Sequence, residues 1–141
     1  MREVKKAATV AQPPSRMYEL INDIERYPQF VPGCTHARVE ARSAREIVAT
    51  LGVRRGALRA EFTTRNELEP ESRIHMRLLR GPFRTLEGEW TLTPMGVNGC
   101  RIELVVRFAF ANRISAFFFE PLFQETAESL VDAFVARAEA T

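Results

Sequence analysis

Alternation of apolar and polar residues with a period of two runs through the middle of the chain and restricts its fold more than any other feature. From 58 to 68, apolar or small polar residues at even positions alternate with mostly charged residues at odd positions. Because successive side chains of a strand point to opposite faces, such a run predicts a strand with one apolar and one solvated face. Similar runs, separated by turn signals, predict about seven antiparallel strands. They cover 4–10, 37–41, 47–53, 73–78, 85–92 and 100–110.

Two segments have helical spacing instead. The first begins at Pro14, which suits the first turn of a helix, and is stopped by Pro28 and Pro32. The second covers about 113–140 and carries a broad apolar stripe with acidic residues outside it. Because Pro121 lacks an N–H group, it predicts a kink or break in this helix near Phe117. A sheet with one apolar face must be covered, so the long last helix is predicted to lie across it.

The composition fits a single α+β domain spanning 1–141. Apolar residues make up 45% and charged residues 27% of the chain, which is typical of globular proteins. The aromatic-rich run Ile114–Phe119 is far shorter than the roughly 20 residues of a membrane span. No apolar run follows the N-terminal charges, so a secretory signal is not indicated and a cytoplasmic location is predicted.

The residues on the predicted inner face indicate a cavity under the last helix. Small residues such as Ala49, Ala60 and Gly88 lie in the same phase as the large side chains of Phe62 and Trp90. Thr64 and Asn66 share this phase and bring hydrogen-bonding groups to an apolar interior, as in many small-molecule pockets. In the alternative interpretation, the small residues only let the helix pack closely and Asn66 bonds to backbone at a strand end.

Catalytic and metal sites are poorly supported. His36 and His75 lie in the polar phase of different strands, so both are expected to face water. Cys34 and Cys100 have no partner at metal spacing and are expected to be structural. Asn66, Thr64, Tyr18 and Tyr27 are the polar candidates for the cavity, and none is a strong base. We therefore predict no catalytic residue, no metal and no required cofactor, with cyclase-like chemistry in the cavity as an alternative.

Charge is unevenly distributed along the chain. Residues 38–84 contain eleven Arg and six Glu, whereas residues 112–141 contain five acidic residues and two Arg. Since the guanidinium fork suits phosphate, this segment predicts contact with an anionic partner such as RNA or a lipid surface. DNA is not expected as a partner. The alternative is an ordinary solvated sheet face. The candidate contact residues are Arg54, Arg55, Arg59, Arg65, Arg73 and Arg77.

The residue identities in several segments are more specific to a family than their periodicity is. The segment 18–34 reads YELINDIERYPQFVPGC, and shorter matches follow in the same order along nearly the whole chain. They are FTTRN at 62–66, GPF at 81–83, LxGxW at 86–90, CRIE at 100–103 and AFxxRA at 133–138. This pattern resembles the bacterial RatA proteins and the coenzyme Q-binding START-domain proteins of the polyketide cyclase/dehydrase-like superfamily.

The resemblance implies a START/Bet v 1-like helix-grip fold, in which a curved antiparallel sheet wraps around a long C-terminal helix over a hydrophobic cavity. It also implies binding of ubiquinone or a related isoprenoid lipid, in support of respiratory electron transport as a carrier or chaperone without catalysis. For RatA-type proteins it implies instead a toxin that binds the large ribosomal subunit and blocks subunit joining. Both interpretations stay open, and the first adds a transient contact with the inner membrane surface.

The residues whose side chains are predicted to point inward, taken together with this resemblance, give the candidates that bind the hydrophobic ligand. Asn66 or Thr64 is expected to reach a quinone carbonyl. The aromatic residues 117–119 are predicted either to gate the mouth of the cavity or to belong to the core. The ligand-binding candidates are Phe62, Thr64, Asn66, Met76, Trp90, Phe108, Phe117, Leu130 and Phe134.

Overall fold

A seven-stranded antiparallel sheet, in the order β1-β7-β6-β5-β4-β3-β2, forms most of the computed structural model, which describes residues 1–140. The predicted α+β architecture of about seven strands and a long last helix is confirmed. The elements are β1 Arg2–Val10, α1 Pro14–Asn22, a 3₁₀ helix Ile24–Gln29, β2 Cys34–Arg42, β3 Glu46–Arg55, β4 Leu58–Glu69, β5 Arg73–Arg80, β6 Phe83–Met95, β7 Gly99–Phe110 and α2 Arg113–Ala140.

The sheet curves around α2. Four strands separate β1 from β3 in the sheet, yet the helix contacts both of them, together with β7 and β4. The even positions of β7, from Cys100 to Phe110, are buried against the helix, as their alternation predicted. Val131 and Phe134 of α2 are fully buried in the same core. The helix therefore packs on both flanks of the sheet.

The long helix continues through Pro121. It extends without interruption over 28 residues, so of the predicted kink or break near Phe117, the break is wrong. The side chain of Asn112 caps its start by accepting a hydrogen bond from the Ser115 N–H at 2.9 Å. Pro121 lies on the exposed side of α2. Water can therefore hydrogen-bond the Phe117 carbonyl that an N–H at position 121 would otherwise reach.

The first helical segment is shorter than its apolar spacing suggests. The α-helix ends at Asn22, and Ile24–Gln29 forms a separate 3₁₀ helix that includes Pro28. This helix buries Tyr27 against Phe134, with ring centroids 5.3 Å apart. The proline-rich segment is thus part of the core rather than a simple connection.

One end of the sheet is rich in aromatic side chains. The strand register places the β3–β4 turn, the β5–β6 turn and the β7–α2 junction at this same end. Phe83 stacks on Phe110 at 4.9 Å and meets Phe123 edge-on at 4.4 Å. We call this the aromatic end, defined by residues 54–62, 79–84 and 110–119.

Candidate ligand cavity and basic surface

A mostly apolar cavity of about 100 Å³ lies between the inner face of the sheet and α2. Strands β3 to β7, the helix α2 and the 3₁₀ segment all contribute to its wall. Its lining consists of Ile24, Tyr27, Ala49, Leu51, Phe62, Thr64, Asn66, Met76, Phe83, Leu86, Gly88, Trp90, Val106, Phe108, Phe123, Thr126, Ala127, Leu130 and Phe134.

Gly88 helps to keep this space open. It pairs with Met76 across the β5–β6 ladder, and a Cβ at position 88 would lie 2.7 Å from the Met76 Cε. The end of the Met76 side chain therefore occupies the space that any larger side chain at position 88 would need. Ala49 and Ala127 are likewise small at opposite walls of the cavity.

Thr64 and Asn66 bring polar side chains to the cavity wall from β4. Their residues are 8% and 6% exposed, and the Thr64 hydroxyl donates to Asn66 Oδ1 at 2.8 Å. The alternative that Asn66 only bonds to backbone is therefore wrong. Among the described residues, no acceptor pairs with Asn66 Nδ2. This amide is a donor available to a carbonyl inside an apolar space.

The other polar groups in the wall are already engaged. The Tyr27 hydroxyl donates to the Ile21 carbonyl, and burial raises its pKa well above the usual range. The Thr126 hydroxyl donates to the Leu122 carbonyl at 2.9 Å, inside its own helix. Among the described residues, the lining holds no Asp, Glu, His, Lys, Arg or Cys. The cavity therefore offers hydrogen bonding without a group that titrates near neutral pH.

The predicted ligand-binding residues converge on this cavity with one exception. The predicted residues on the strands all line it, and so do Leu130 and Phe134 of α2, whereas Phe117 does not. Phe117 is 76% exposed, since it lies about 200° around the helix from Phe119, which stacks near Phe110. The structure thus assigns Phe119 to the core and removes Phe117 from the cavity wall.

Several lining residues were missed by the sequence analysis. Phe83 was missed because a β-bulge between Phe83 and Thr85 shifts the inward phase of β6. Tyr27 lies in a 3₁₀ helix, where neither strand nor helix periodicity applies. Phe123 and Ala127 could have been found, because with Leu130 and Phe134 they form one stripe along α2.

The histidines and cysteines lie outside the cavity wall. The Nε2 atoms of His36 and His75 lie 2.7 Å from Glu61 and 2.8 Å from Glu87 on the outer face of the sheet. Cys34 and Cys100 are free thiols, and burial raises the pKa of Cys34 to about 11. Within residues 1–140, no cluster of three or more His, Cys, Asp or Glu suits a metal ion.

The six candidate arginines do not form one uniformly basic face. Arg65, Arg73 and Arg77 lie 3.5–3.6 Å from carboxylates of Glu46, Glu69 and Glu67.

The other three candidate arginines, Arg54, Arg55 and Arg59, lie around the β3–β4 turn. Arg55 lies 2.8 Å from Glu125 of α2. Arg54 and Arg59 face each other across the β3–β4 ladder and have no carboxylate within 4.0 Å among the described residues. Unbalanced positive charge is therefore concentrated at this turn.

Comparison with known proteins places the chain in a family. A family model described as polyketide cyclase/dehydrase and lipid transport matches residues 10–135. The chain belongs to this family. The cavity of this polyketide cyclase/lipid-transport family member is enclosed by the sheet and the last helix.

A curated relative within the family is the ribosome association toxin RatA of Escherichia coli K12. It is 37% identical over 139 residues, covering 99% of this chain and 88% of the relative. The predicted resemblance to RatA proteins is therefore confirmed.

Solved structures show the same fold. A START superfamily protein from Mycobacterium smegmatis superposes with a TM-score of 0.81 at 22% identity, covering 98% of this chain and 97% of the other. The Zhui aromatase/cyclase from Streptomyces gives a TM-score of 0.86 at 19% identity, covering 98% and 93%. The helix-grip fold is thus shared with a START superfamily protein and with an aromatase/cyclase. No helix in residues 1–140 of this family member is long and apolar enough to cross a membrane.

Proposed function

We propose that this protein binds a hydrophobic small molecule in the cavity, with ubiquinone or a related isoprenoid quinone as the preferred ligand. The observation that carries the proposal is the pairing of an apolar wall with an amide donor at Asn66 that has no partner within residues 1–140. A quinone presents a carbonyl acceptor on a ring that is otherwise apolar. The protein would act as a carrier or chaperone in respiratory electron transport.

The size of the cavity constrains how such a ligand binds. Sites for drug-sized ligands measure about 300–1,000 Å³. The cavity, at about 100 Å³, has room for a small ring or a short alkyl segment in this closed form. A longer isoprenoid therefore requires α2 to move away from the sheet or the tail to extend beyond the cavity. Asn66 lies further from the turns of the aromatic end than Phe62 does, so we place the head group at Asn66 and the tail toward that end.

The affinity arithmetic requires only part of an isoprenoid tail. Burying one CH₂ contributes about 0.8 kcal/mol, so each five-carbon unit contributes roughly 3–4 kcal/mol. A micromolar complex needs about 8 kcal/mol net after the cost of ordering the ligand. A head group and three or four units are enough, and the end of a longer tail can stay outside the cavity.

Binding without catalysis is part of the proposal. Cyclases share the fold, but acid–base chemistry needs a group that exchanges a proton near the reacting atoms. Asn66 and Thr64 do not titrate, and the Tyr27 hydroxyl is directed to the Ile21 carbonyl. Turnover of a polyketide substrate that is abolished in Asn66→Ala would contradict this part and favour the cyclase alternative.

Organic extraction and mass spectrometry of the protein purified from its native host test the ligand proposal. We expect a stoichiometric isoprenoid quinone in the wild type and its loss from Gly88→Val, which adds three carbons against Met76. Ala41→Val, at an exposed strand position, is the matched control and should keep the ligand. A folded wild type without ligand, or a folded Gly88→Val with normal ligand, would contradict the proposal.

Association with the large ribosomal subunit is the second candidate function. It is supported by the name of the relative that is 37% identical over 99% of this chain, and by the unbalanced charge of Arg54 and Arg59. It also favours the predicted cytoplasmic location. In this alternative the protein binds the large subunit and blocks its joining to the small one.

Sedimentation with purified ribosomal subunits tests this alternative. Binding to phosphates should weaken steeply as salt is raised, with a logarithmic slope of about −0.7 to −0.9 per phosphate contact. Arg54→Glu with Arg59→Glu should reduce binding more than Arg65→Glu, because Arg65 already neighbours Glu46. Absent or salt-insensitive association would count against it.

A further inference from the structure

The first turns of α2 expose large apolar side chains to water. Ile114, Phe117 and Phe118 are 72%, 76% and 54% exposed. Their i, i+3, i+4 spacing places all three on one side of the helix, while Phe119 on the inner side packs near Phe110. Single exposed apolar residues are ordinary, but a contiguous group of this size marks an interaction site.

Positive charge surrounds this apolar group. The aromatic end, residues 54–62, 79–84 and 110–119, holds six Arg and one acidic residue, Glu61, which lies 2.7 Å from His36. Carboxylates from other segments neighbour two of the six: Arg55 and Arg80 lie within 4.0 Å of Glu125 and Glu40. Among the described residues, Arg54, Arg59, Arg84 and Arg113 have no carboxylate at that distance.

The opposite end of the sheet has a different character. The β4–β5 turn there follows Glu69 and contains Glu71, and the β6–β7 turn at 96–98 is uncharged. The β2–β3 turn at the same end contains Arg45 beside Arg42, and Arg42 lies 3.4 Å from Glu25. Val97 in that turn is 95% exposed but has no cationic neighbours in its own turn. Within residues 1–140, four arginines without a carboxylate neighbour thus lie at the aromatic end, compared with Arg45 in the turns of the opposite end. This excess of positive charge favours the aromatic end in the field of an anionic surface.

We infer that the aromatic end docks on an anionic lipid bilayer, with Phe117 and Phe118 inserted among the lipids and Arg84 and Arg113 at the phosphates. RNA phosphates would also attract the arginines, but they offer no apolar environment for the two phenylalanines. A bilayer accommodates both groups, as it does for amphipathic helices that lie in the interface.

The position of this surface relative to the cavity extends the proposal of ligand binding. The biological role of the surface rests on that proposal. Phe83 and Phe123 line the cavity, and both have ring contacts with Phe110. The docking surface thus lies at the end of the cavity toward which we place the isoprenoid tail. A lipid can pass between bilayer and cavity there with little exposure of its tail to water.

Co-sedimentation with vesicles tests the inference. We expect the protein to bind phosphatidylcholine vesicles that contain phosphatidylglycerol and to bind pure phosphatidylcholine at least tenfold more weakly. The double variant Phe117→Ser/Phe118→Ser should bind the anionic vesicles at least tenfold more weakly. Val97→Ser removes an equally exposed side chain at the opposite end and should bind as the wild type does. Arg84→Glu/Arg113→Glu should lose at least twentyfold, since each arginine near the surface contributes about fivefold.

Circular dichroism and thermal melts verify that these variants fold, which their exposed positions favour. Wild-type affinity in folded Phe117→Ser/Phe118→Ser would overturn the inference. So would failure to bind anionic vesicles while large ribosomal subunits are bound through the arginines alone, which would identify an RNA surface. Because the vesicles contain no quinone, docking can fail or succeed independently of ligand binding in the cavity.

Discussion

At the residue scale, the Thr64–Asn66 pair gives the cavity its chemical character. Both side chains are buried, and the threonine hydroxyl fixes the amide by donating to its carbonyl oxygen. The Asn66 amide N–H groups have no partner within residues 1–140, so they are available to a ligand that carries an acceptor.

The double variant Thr64→Val/Asn66→Leu tests this interpretation. It removes both polar groups and preserves most of the volume, so we expect stability to be unchanged or raised by about 1 kcal/mol. Affinity for a short-chain ubiquinone analogue should fall roughly tenfold, because the hydrogen bond to the carbonyl is lost. Chemical denaturation and ligand titration measure the two effects.

Thr63→Val provides a control for the same β-strand, since Thr63 is buried on the outer face and bonds to Thr50 at 2.7 Å. It should lower stability and leave ligand affinity unaltered. Unchanged affinity in the folded Thr64→Val/Asn66→Leu protein would show that the pair does not bind ligand.

At the element scale, α2 both covers the sheet and closes the cavity. Leu130 and Phe134 line the cavity from this helix, so opening it requires α2 to shift. Pro121 is its ninth residue and leaves the helix without one internal hydrogen bond. The exposed proline is thus the weakest point of the segment between the aromatic end and the cavity wall.

Pro121→Ala should stabilise the protein. Alanine restores the N–H group and has the higher helix propensity, by up to about 3 kcal/mol, so we expect a gain of about 1–3 kcal/mol. For a chain of this size the thermal midpoint should rise by roughly 3 °C or more. If α2 flexes at this point, ligand uptake in the variant should also be slower.

Pro70→Ala is the matched control, because Pro70 lies in the exposed β4–β5 turn and its loss only makes the unfolded chain more flexible. It should leave the thermal midpoint unchanged or slightly lower. A lower midpoint for Pro121→Ala would show that the proline fits the helix better than alanine does.

At the scale of the whole molecule, the outer face of the sheet is held by a network of charges. The Thr50 hydroxyl and Arg80 both donate to Glu40 and hold the pKa of that carboxyl below its usual range. His36, and to a lesser extent Arg38, lowers the pKa of Glu61. The apolar cavity and the charged face thus lie on opposite sides of one sheet.

These shifts predict loss of stability in acid. A carboxyl whose pKa is lower in the folded than in the unfolded state stabilises the fold above its unfolded pKa. That contribution disappears as the pH falls through the folded value, so the thermal midpoint should drop below about pH 4.3. Glu40→Gln should lower the midpoint at neutral pH and flatten the decline in acid, whereas the exposed Glu139→Gln should change neither. An acid decline of the same steepness in Glu40→Gln would contradict this account.

Much of the cavity was predictable from the alternation of β4 to β7. Phe62, Thr64 and Asn66 follow one strand with unbroken phase, so period two alone placed them inside. The prediction failed where the phase is interrupted, as at Phe83 beside a β-bulge. It also failed for Phe117, because the apolar character of a helix residue does not show which side of the helix is covered.

By itself, the sequence determined the order of the strands along the chain, the inner face of each strand segment with unbroken alternation, and the family, because these depend on local periodicity and on motifs. The tertiary structure decided the size of the cavity, the engagement of Tyr27 by a backbone carbonyl and the unpaired donor of Asn66. It also decided which arginines meet a carboxylate and that the exposed phenylalanines lie beside acid-free turns. Distances between elements set these features, and residues such as Arg55 and Glu125 are close only after the sheet has curved around α2.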